Sequence, residues 1–343
     1  VPLGAARAAA HYAFTYLRNS DYIHSEPATP PAPSLELRGD DMAAVKVWFK
    51  ELRAEFLTAS VIPAILSIAV ARFETGSLDL YLAAMAFAGA VFLHLGTNTA
   101  NDYYDHLSGA DAFNVQYVRP FTGGSRLIQE GLISPTTVLV TSISFYAAAL
   151  IIGVLLAAAR GPLILVFGLI GLLSGYFYTA PPFRLAHRGV GELIVGLNFG
   201  LLLMMGVYYA QTGGISPGIV AASLPVSCLI AAVVMINEFQ DSAGDARAGK
   251  RTLVVRLGTR KSAALFAAVT LASYLLLAAA VAARLLPPPV LAACATLPLT
   301  VKAIATARSF HNKPKELVPA NASTILAHML TGLIMFVVFA IMG

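Results

Sequence analysis

Charge is what this chain has least of. Lys, Arg, Asp and Glu make up 12% of its 343 residues, against roughly 25% in a soluble globular domain, so an ordinary water-facing shell cannot be built. Disorder, collagen, coiled coil and a nucleic-acid-binding domain are excluded together, because each needs abundant polar or regularly spaced charged residues. Cysteine is scarcer still. Cys228 and Cys294 both lie in apolar runs, where a thiol behaves as a small hydrophobe, so neither a disulfide nor a zinc site is expected. The seven histidines (His11, His24, His94, His106, His187, His311 and His328) never fall close enough together to suggest a local metal pair.

Hydrophobicity fills the space that charge leaves: 57% of residues are apolar and the mean hydropathy is +0.73. Residues 1–41 stand apart, with Pro27, Pro30, Pro31 and Pro33, and are expected to form an irregular extension without the features of a cleavable signal peptide. The folded domain is expected over 42–343, starting at Met42. A bilayer core needs about 20 apolar residues per helix. Charge-poor runs of that order occur near 54–72, 80–100, 136–159, 162–182, 191–211, 217–237, 262–283, 286–306 and 321–342, which predicts an all-α polytopic membrane protein of nine transmembrane helices. No charge occurs between Glu192 and Glu238, where Gly213, Gly214 and Pro217 divide two helices.

The basic residues give an orientation. With the N-terminus inside, nineteen of the 23 Lys and Arg fall in inner segments, while Arg72, Arg160 and Arg284 lie on the other side and Lys302 near a helix end. This predicts a multi-pass protein of a cytoplasmic or inner membrane with its N-terminus in the cytoplasm.

Two inner segments carry acidic clusters: Asn98-x-x-Asn101-Asp102-x-x-Asp105-x5-Asp111 after span two, and Asn237-Glu238-x-x-Asp241-x3-Asp245 after span six. Asn101 and Asp105, and likewise Asn237, Asp241 and Asp245, recur every four residues, which stacks their oxygens along one helical face. One such row reads as capping or solvated residues. Two rows on one side of a membrane, where unpaired carboxylates are unfavourable, imply a shared cation. Oxygen donors without imidazole or thiolate suit Mg²⁺.

Basic residues follow each row, as Arg119-Pro-Phe-Thr-Gly-Gly-Ser-Arg126 and Lys250-Arg251-Thr252. A metal, a guanidinium and an ammonium together suit a diphosphate. Arg119, Arg126, Lys250 and Arg251, with Asn98 and Asn237, are therefore the expected substrate contacts. A lone Gly-Gly is as readily a plain turn.

These motifs, with Gly249-Lys250-Arg-Thr-Leu-x-Val-Arg256-Leu-Gly258, resemble the UbiA superfamily of intramembrane aromatic prenyltransferases over roughly residues 51–343. The Gly-x-Asp ending of the first motif looks most like the branch that prenylates 1,4-dihydroxy-2-naphthoate in menaquinone synthesis. The resemblance implies nine helices around a central cavity, capped by two motif-bearing cytoplasmic loops. It also implies Mg²⁺-dependent binding of an isoprenyl diphosphate, with Asn101, Asp105, Asp241 and Asp245 as metal ligands supported by Asp102, Asp111 and Asn237. Many members carry Tyr-x3-Lys after span four; this chain has Tyr176, Tyr178 and Arg184 there, with no lysine four residues after either tyrosine.

An allylic cation needs shielding and an aromatic acceptor must lose a proton. Tyr176 and Tyr178, with Phe177 and Phe183, are candidates to face the cation. Asp102 and Asp111, with Glu192 and His106, are candidates for the base. Other aromatic or lipid acceptors (4-hydroxybenzoate, homogentisate, a glycerophosphate lipid) fit the same motifs. A cation-coupled transporter is the rival class, though it would place ionisable residues nearer the bilayer midplane.

Overall fold

The computed structural model describes residues 47–114, 117–119 and 121–343, and their regular structure is entirely helical. The extension over 1–41 and the boundary at Met42 lie outside these residues. Nine apolar helices run in order: α1 (Thr58–Thr75), α2 (Leu80–Ser108), α3 (Pro135–Arg160), α4 (Leu163–Tyr176), α5 (Gly191–Thr212), α6 (Pro217–Arg247), α7 (Thr259–Ala282), α8 (Pro288–Phe310) and α9 (Pro314–Met342). Among the described residues, eight are long and apolar enough to cross a membrane, and α4 is shorter.

Local chemistry sets where they begin and end. Asp79 caps α2 by accepting from the Leu82 amide at 3.0 Å. Ser134 and Ser216 do the same for α3 and α6, each followed by a proline in the first turn, where a missing N–H is harmless. Removing such a cap costs about 1 kcal/mol. Span four, expected to reach 182, stops at Tyr176, because the chain turns there and Pro181 and Pro182 withhold the amides a helix would need. Conversely, α2 and α6 continue well past the apolar limits expected near 100 and 237. Hydropathy falls where charge begins, but the helical hydrogen bonding does not.

Each helix packs against the next, and α9 returns to α1, closing the ring. One end is filled by a core in which Leu66 and Val70 of α1, Met204 of α5, Ile219 and Val226 of α6 and Met335 and Phe339 of α9 are all buried. A second cluster, including Ala64, Leu82, Leu156, Ile164 and Val207, completes that floor. A third, with Ile236 and Phe239 of α6 against Phe266 of α7 and Ala303 of α8, braces α6 at the opposite end. Outward faces remain apolar: Ile143, Leu150, Ile151 and Val154 on α3 and Val166, Leu169 and Ile170 on α4 are exposed, a surface suited to lipid rather than water.

A close helix contact joins α5 to α6. A Cβ on Gly200 would overlap Ser227 Oγ, and one on Gly196 would lie 2.7 Å from the Ser227 carbonyl oxygen. Just after Gly196, α5 widens into a π-helical turn over Leu197–Leu202, a distortion often found at functional sites.

Candidate active site

Between the apolar floor and the far ends of α2 and α6 lies a cavity of about 350 Å³, within the range of small-molecule sites. Its rim holds Asn98, Asn101, Asp105, Asp111, Asn237, Asp241, Asp245, Lys250 and Tyr178; its depths hold Gly89, Leu156, Ile164, Phe167, Gly168, Gly171 and Val207. Both acidic rows sit on continuous helix, so the four-residue spacing becomes a fixed row of side chains along one face. Asn101 Nδ2 donates to Asp105 Oδ2 at 3.3 Å. In the second row Asn237 accepts from Asn321 of α9 at 2.8 Å.

Two residues join the rows. Lys250 Nζ, from the turn after α6, stands 3.4 Å from Asp105 Oδ2 and 3.8 Å from Asp245 Oδ1. Burial acts to lower its pKa, but the Asp105 and Asp245 carboxylates outweigh burial and hold the ammonium well above the ordinary lysine value. Asn114 Nδ2 donates to Asp241 Oδ1 at 2.6 Å, tying the segment after α2 to α6. Asp105 Oδ1 is buried with no hydrogen-bond partner among the described residues. Nor do any three His, Cys, Asp or Glu side chains among them close into a metal cage. An open, all-oxygen set with a spare buried carboxylate oxygen matches a cation that completes its shell with water and phosphate oxygens.

A second layer holds the rim in place. Asp102 is buried but faces away from the cavity, accepting from the Ser125 amide at 3.2 Å with Arg53 at 3.9 Å. Ser125 Oγ donates to the fully buried Glu51 at 2.8 Å. Burial, with the Asp102 carboxylate beside it, raises Glu51 to about 7. Asp111 lines the cavity and accepts from Gln129 at 2.9 Å; burial and the Asp105 and Asp102 carboxylates raise it to about 8. The Gly123-Gly124 pair is more than a plain turn. Gly124 has φ +67°, and a Cβ there would lie 3.2 Å from carboxylate oxygens of both Asp102 and Asp111, so the loop approaches the acids only without a side chain.

The other expected residues are placed differently. Arg126 donates to the Asp111 and Asn114 carbonyls at 2.9 and 3.3 Å and lies over the Tyr117 ring, so its guanidinium organises the loop. Arg119 pairs with Glu130 on the surface. Arg251 is exposed and off the cavity. Tyr178 lines the cavity, its phenol pKa raised by burial and by nearby Glu238. Tyr176 instead bonds the Tyr104 hydroxyl at 2.5 Å and meets Phe177 edge-on, which in turn meets Phe183; none of these rings lines the cavity. Glu192 is buried and accepts from the Leu253 amide at 2.9 Å, a structural tie. His106 does not line the cavity.

Sequence reasoning missed two rim residues, Arg53 and Asn114, and gave Glu238, named in the second acidic cluster, no role at the site. Arg53 reaches the rim through a left-handed backbone turn with φ 49°, which nothing in its sequence context announces. Asn114 follows Asp111 by three residues, a helical step that was legible.

A chamber closed at one end by packed side chains and rimmed at the other by acids and an ammonium has the build of an intramembrane enzyme rather than of a conducting pore. The UbiA prenyltransferase family profile matches residues 60–341, and the chain belongs to this family; it is a multi-pass membrane prenyltransferase. The chain is 25% identical over 285 residues to the 1,4-dihydroxy-2-naphthoate octaprenyltransferase of Bacillus subtilis, covering 82% of this chain and 88% of the relative. It is 28% identical over 310 residues to the 2-carboxy-1,4-naphthoquinone phytyltransferase of Synechocystis, covering 90% and 96%. Among solved structures, a UbiA homologue from Archaeoglobus fulgidus bound to DMAPP and Mg²⁺ superposes with a TM-score of 0.64 at 18% identity, covering 85% of this chain and 98% of that one.

Proposed function

We propose that this prenyltransferase moves an isoprenyl group from its diphosphate to 1,4-dihydroxy-2-naphthoate in a Mg²⁺-dependent reaction, with the rim facing the cytoplasm. The observation that carries the reading is the meeting of both acidic rows at Lys250, which concentrates carboxylates and an ammonium at the mouth of an apolar chamber. Asn101, Asp105, Asp241 and Asp245 would hold the metal, which when bound supplies Lewis-acid stabilisation of the departing diphosphate.

The chain's own residues do the rest. Lys250 offers charge-assisted hydrogen bonds to phosphate oxygens; Asn98 and Asn237 also line the cavity, although Asn98 donates to the Leu52 carbonyl at 3.3 Å and Asn237 accepts from Asn321. The apolar depths take the isoprenyl tail and keep water from the allylic carbon while its C–O bond breaks and an electron-rich aromatic carbon replaces the diphosphate. Tyr178 presents a neutral phenol at the boundary of the two regions. Asp111 lies on the cavity beside the acidic rim and is assigned as the acceptor of the substrate's proton; Asp102 supports the rim from behind. The naphthoate acceptor is supported by the names of the Bacillus subtilis and Synechocystis relatives, and the orientation by the inner excess of Lys and Arg.

The test is incubation of purified protein with Mg²⁺, labelled polyprenyl diphosphate and a panel of aromatic and lipid acceptors, with products read by mass spectrometry. Prenylated naphthoate that disappears on chelation is the expected result. Transfer only to another acceptor, or unchanged turnover in EDTA, overturns the assignment. Labelling of a Ser77→Cys variant by an impermeant thiol reagent from outside, but not of a Ser309→Cys variant, checks the orientation.

A further inference from the structure

The rim leaves unexplained a second polar level deeper in the same cavity. His94 on α2 stands seven residues below Asn101, and His328 on α9 stands seven below Asn321, the partner of Asn237. Seven residues are two helical turns, about 10 Å. Both imidazoles line the cavity and are buried, at 5% and 3% exposure. The Ser60 hydroxyl lies 2.5 Å from His94 Nδ1, which fixes the ring and leaves Nε2 for a ligand. Phe199, delivered by the π-helical turn of α5, meets the same ring at 4.6 Å between centroids. His328 Nε2 is buried with no hydrogen-bond partner among the described residues. A bare imidazole nitrogen at membrane depth is destabilising unless something polar meets it.

The opposite wall is different in kind. There Ile164, Phe167, Gly168 and Gly171 of α4 face Leu156 of α3 across aliphatic surface and gaps left by glycine. The Asn198 amide is already engaged, donating to Ser174 at 2.7 Å. One wall offers hydrogen bonds and an aromatic edge; the other offers apolar contact and the Ser174 hydroxyl, which is already taken up by the Ile170 carbonyl and the Asn198 amide.

We propose that His94 and His328 form the acceptor subsite, holding the ring oxygens of a hydroxylated aromatic molecule against Phe199 while the isoprenyl tail lies along the α3–α4 wall. This rests on the prenyl-transfer reading above. The chemistry selects the ligand class: a hydroxyarene hydroxyl can donate to an imidazole nitrogen, an isoprenyl chain has no group that can, and the diphosphate is held two turns higher.

The experiment compares wild type with His94→Leu and His328→Leu, using 1,4-dihydroxy-2-naphthoate as acceptor and Mg²⁺ with a labelled isoprenyl diphosphate as donor. Each variant is expected to raise the acceptor KM about tenfold while leaving the donor KM within about twofold. Equilibrium dialysis of the naphthoate without donor should show weakened binding, and His328→Gln, which keeps a hydrogen-bonding group, should recover part of it. Unchanged acceptor KM and binding, with or without a lowered melting temperature, or equal shifts in both KM values, would mean that the histidines only pack helices, and overturns the subsite. If wild type transfers to no aromatic acceptor, the functional reading itself fails and takes the subsite with it; active wild type with unaffected variants defeats the subsite alone.

Discussion

Replacing Lys250 with methionine keeps the length of the side chain and deletes the charge between the two acidic rows. At an effective dielectric near 20, its attractions to Asp105 at 3.4 Å and Asp245 at 3.8 Å are about 5 and 4 kcal/mol before desolvation is subtracted. Breaking a buried ion pair by removing one partner leaves a net loss of about 3 kcal/mol, and here two carboxylates are left facing each other. In EDTA the variant should melt several degrees below wild type. Mg²⁺ should raise its midpoint by more than it raises that of wild type, because the metal then meets acids with no competing ammonium. The specificity constant for the isoprenyl diphosphate should fall by about 100-fold, the loss of one or two charge-assisted hydrogen bonds, and Lys250→Arg should recover part of it. Thermal denaturation in detergent, with and without metal, and steady-state kinetics read these quantities. Equal melting in EDTA, or an identical Mg²⁺ response, would refute the reasoning that Lys250 neutralises the rim.

Other expectations follow from the same geometry. Asp105→Ala and Asp241→Ala should each abolish turnover, and each should also lower the melting temperature in EDTA, because Lys250 loses one of its two carboxylates and Asn114 loses its acceptor; near-normal activity in both would remove these residues from the metal set. Gly200→Ala should destabilise the protein by about 3 kcal/mol through overpacking, because its Cβ would overlap Ser227 Oγ and fall 2.5 Å from Ser227 Cα; an unchanged melting temperature would contradict the close α5–α6 contact. Glu51, raised to about 7, favours the folded state in its protonated form, so its contribution is fully present below the ordinary glutamate pKa of 4.5 and lost as pH rises through about 7. That contribution is about 3 kcal/mol at most. Glu51→Gln should therefore flatten the fall in melting temperature between about pH 5 and pH 8 measured in EDTA, and parallel profiles would argue against a buried, titrating Glu51.

Much of this organisation is legible in the residues themselves. The recurrence of Asn101 with Asp105, and of Asn237, Asp241 and Asp245, at four-residue steps names a helical face from spacing alone, and apolar runs locate the spans. What stays hidden has physical causes. Hydropathy registers the loss of lipid contact, not the end of a helix, so α2 and α6 outrun their apolar segments. Charge near a span looks the same whether it sets topology or reaches a site: Arg53 falls among the topological charges yet stands at the rim, whereas Arg119, Arg126 and Arg251, expected at substrate, instead pair on the surface, brace a loop or lie exposed. Tyr176 and Tyr178 differ by two positions, and only their three-dimensional setting separates the ring that lines the cavity from the one packed against Tyr104.

The brevity of α4 has a consequence for the surroundings of the protein. Its 14 residues extend about 21 Å, against a hydrocarbon layer of about 30 Å. On that flank either the lipid must thin or the turn after Tyr176 must sink below headgroup level. Bilayer thickness thereby becomes a control variable: in short-chain lipid this flank relaxes, in long-chain lipid it is strained, and turnover should track acyl length.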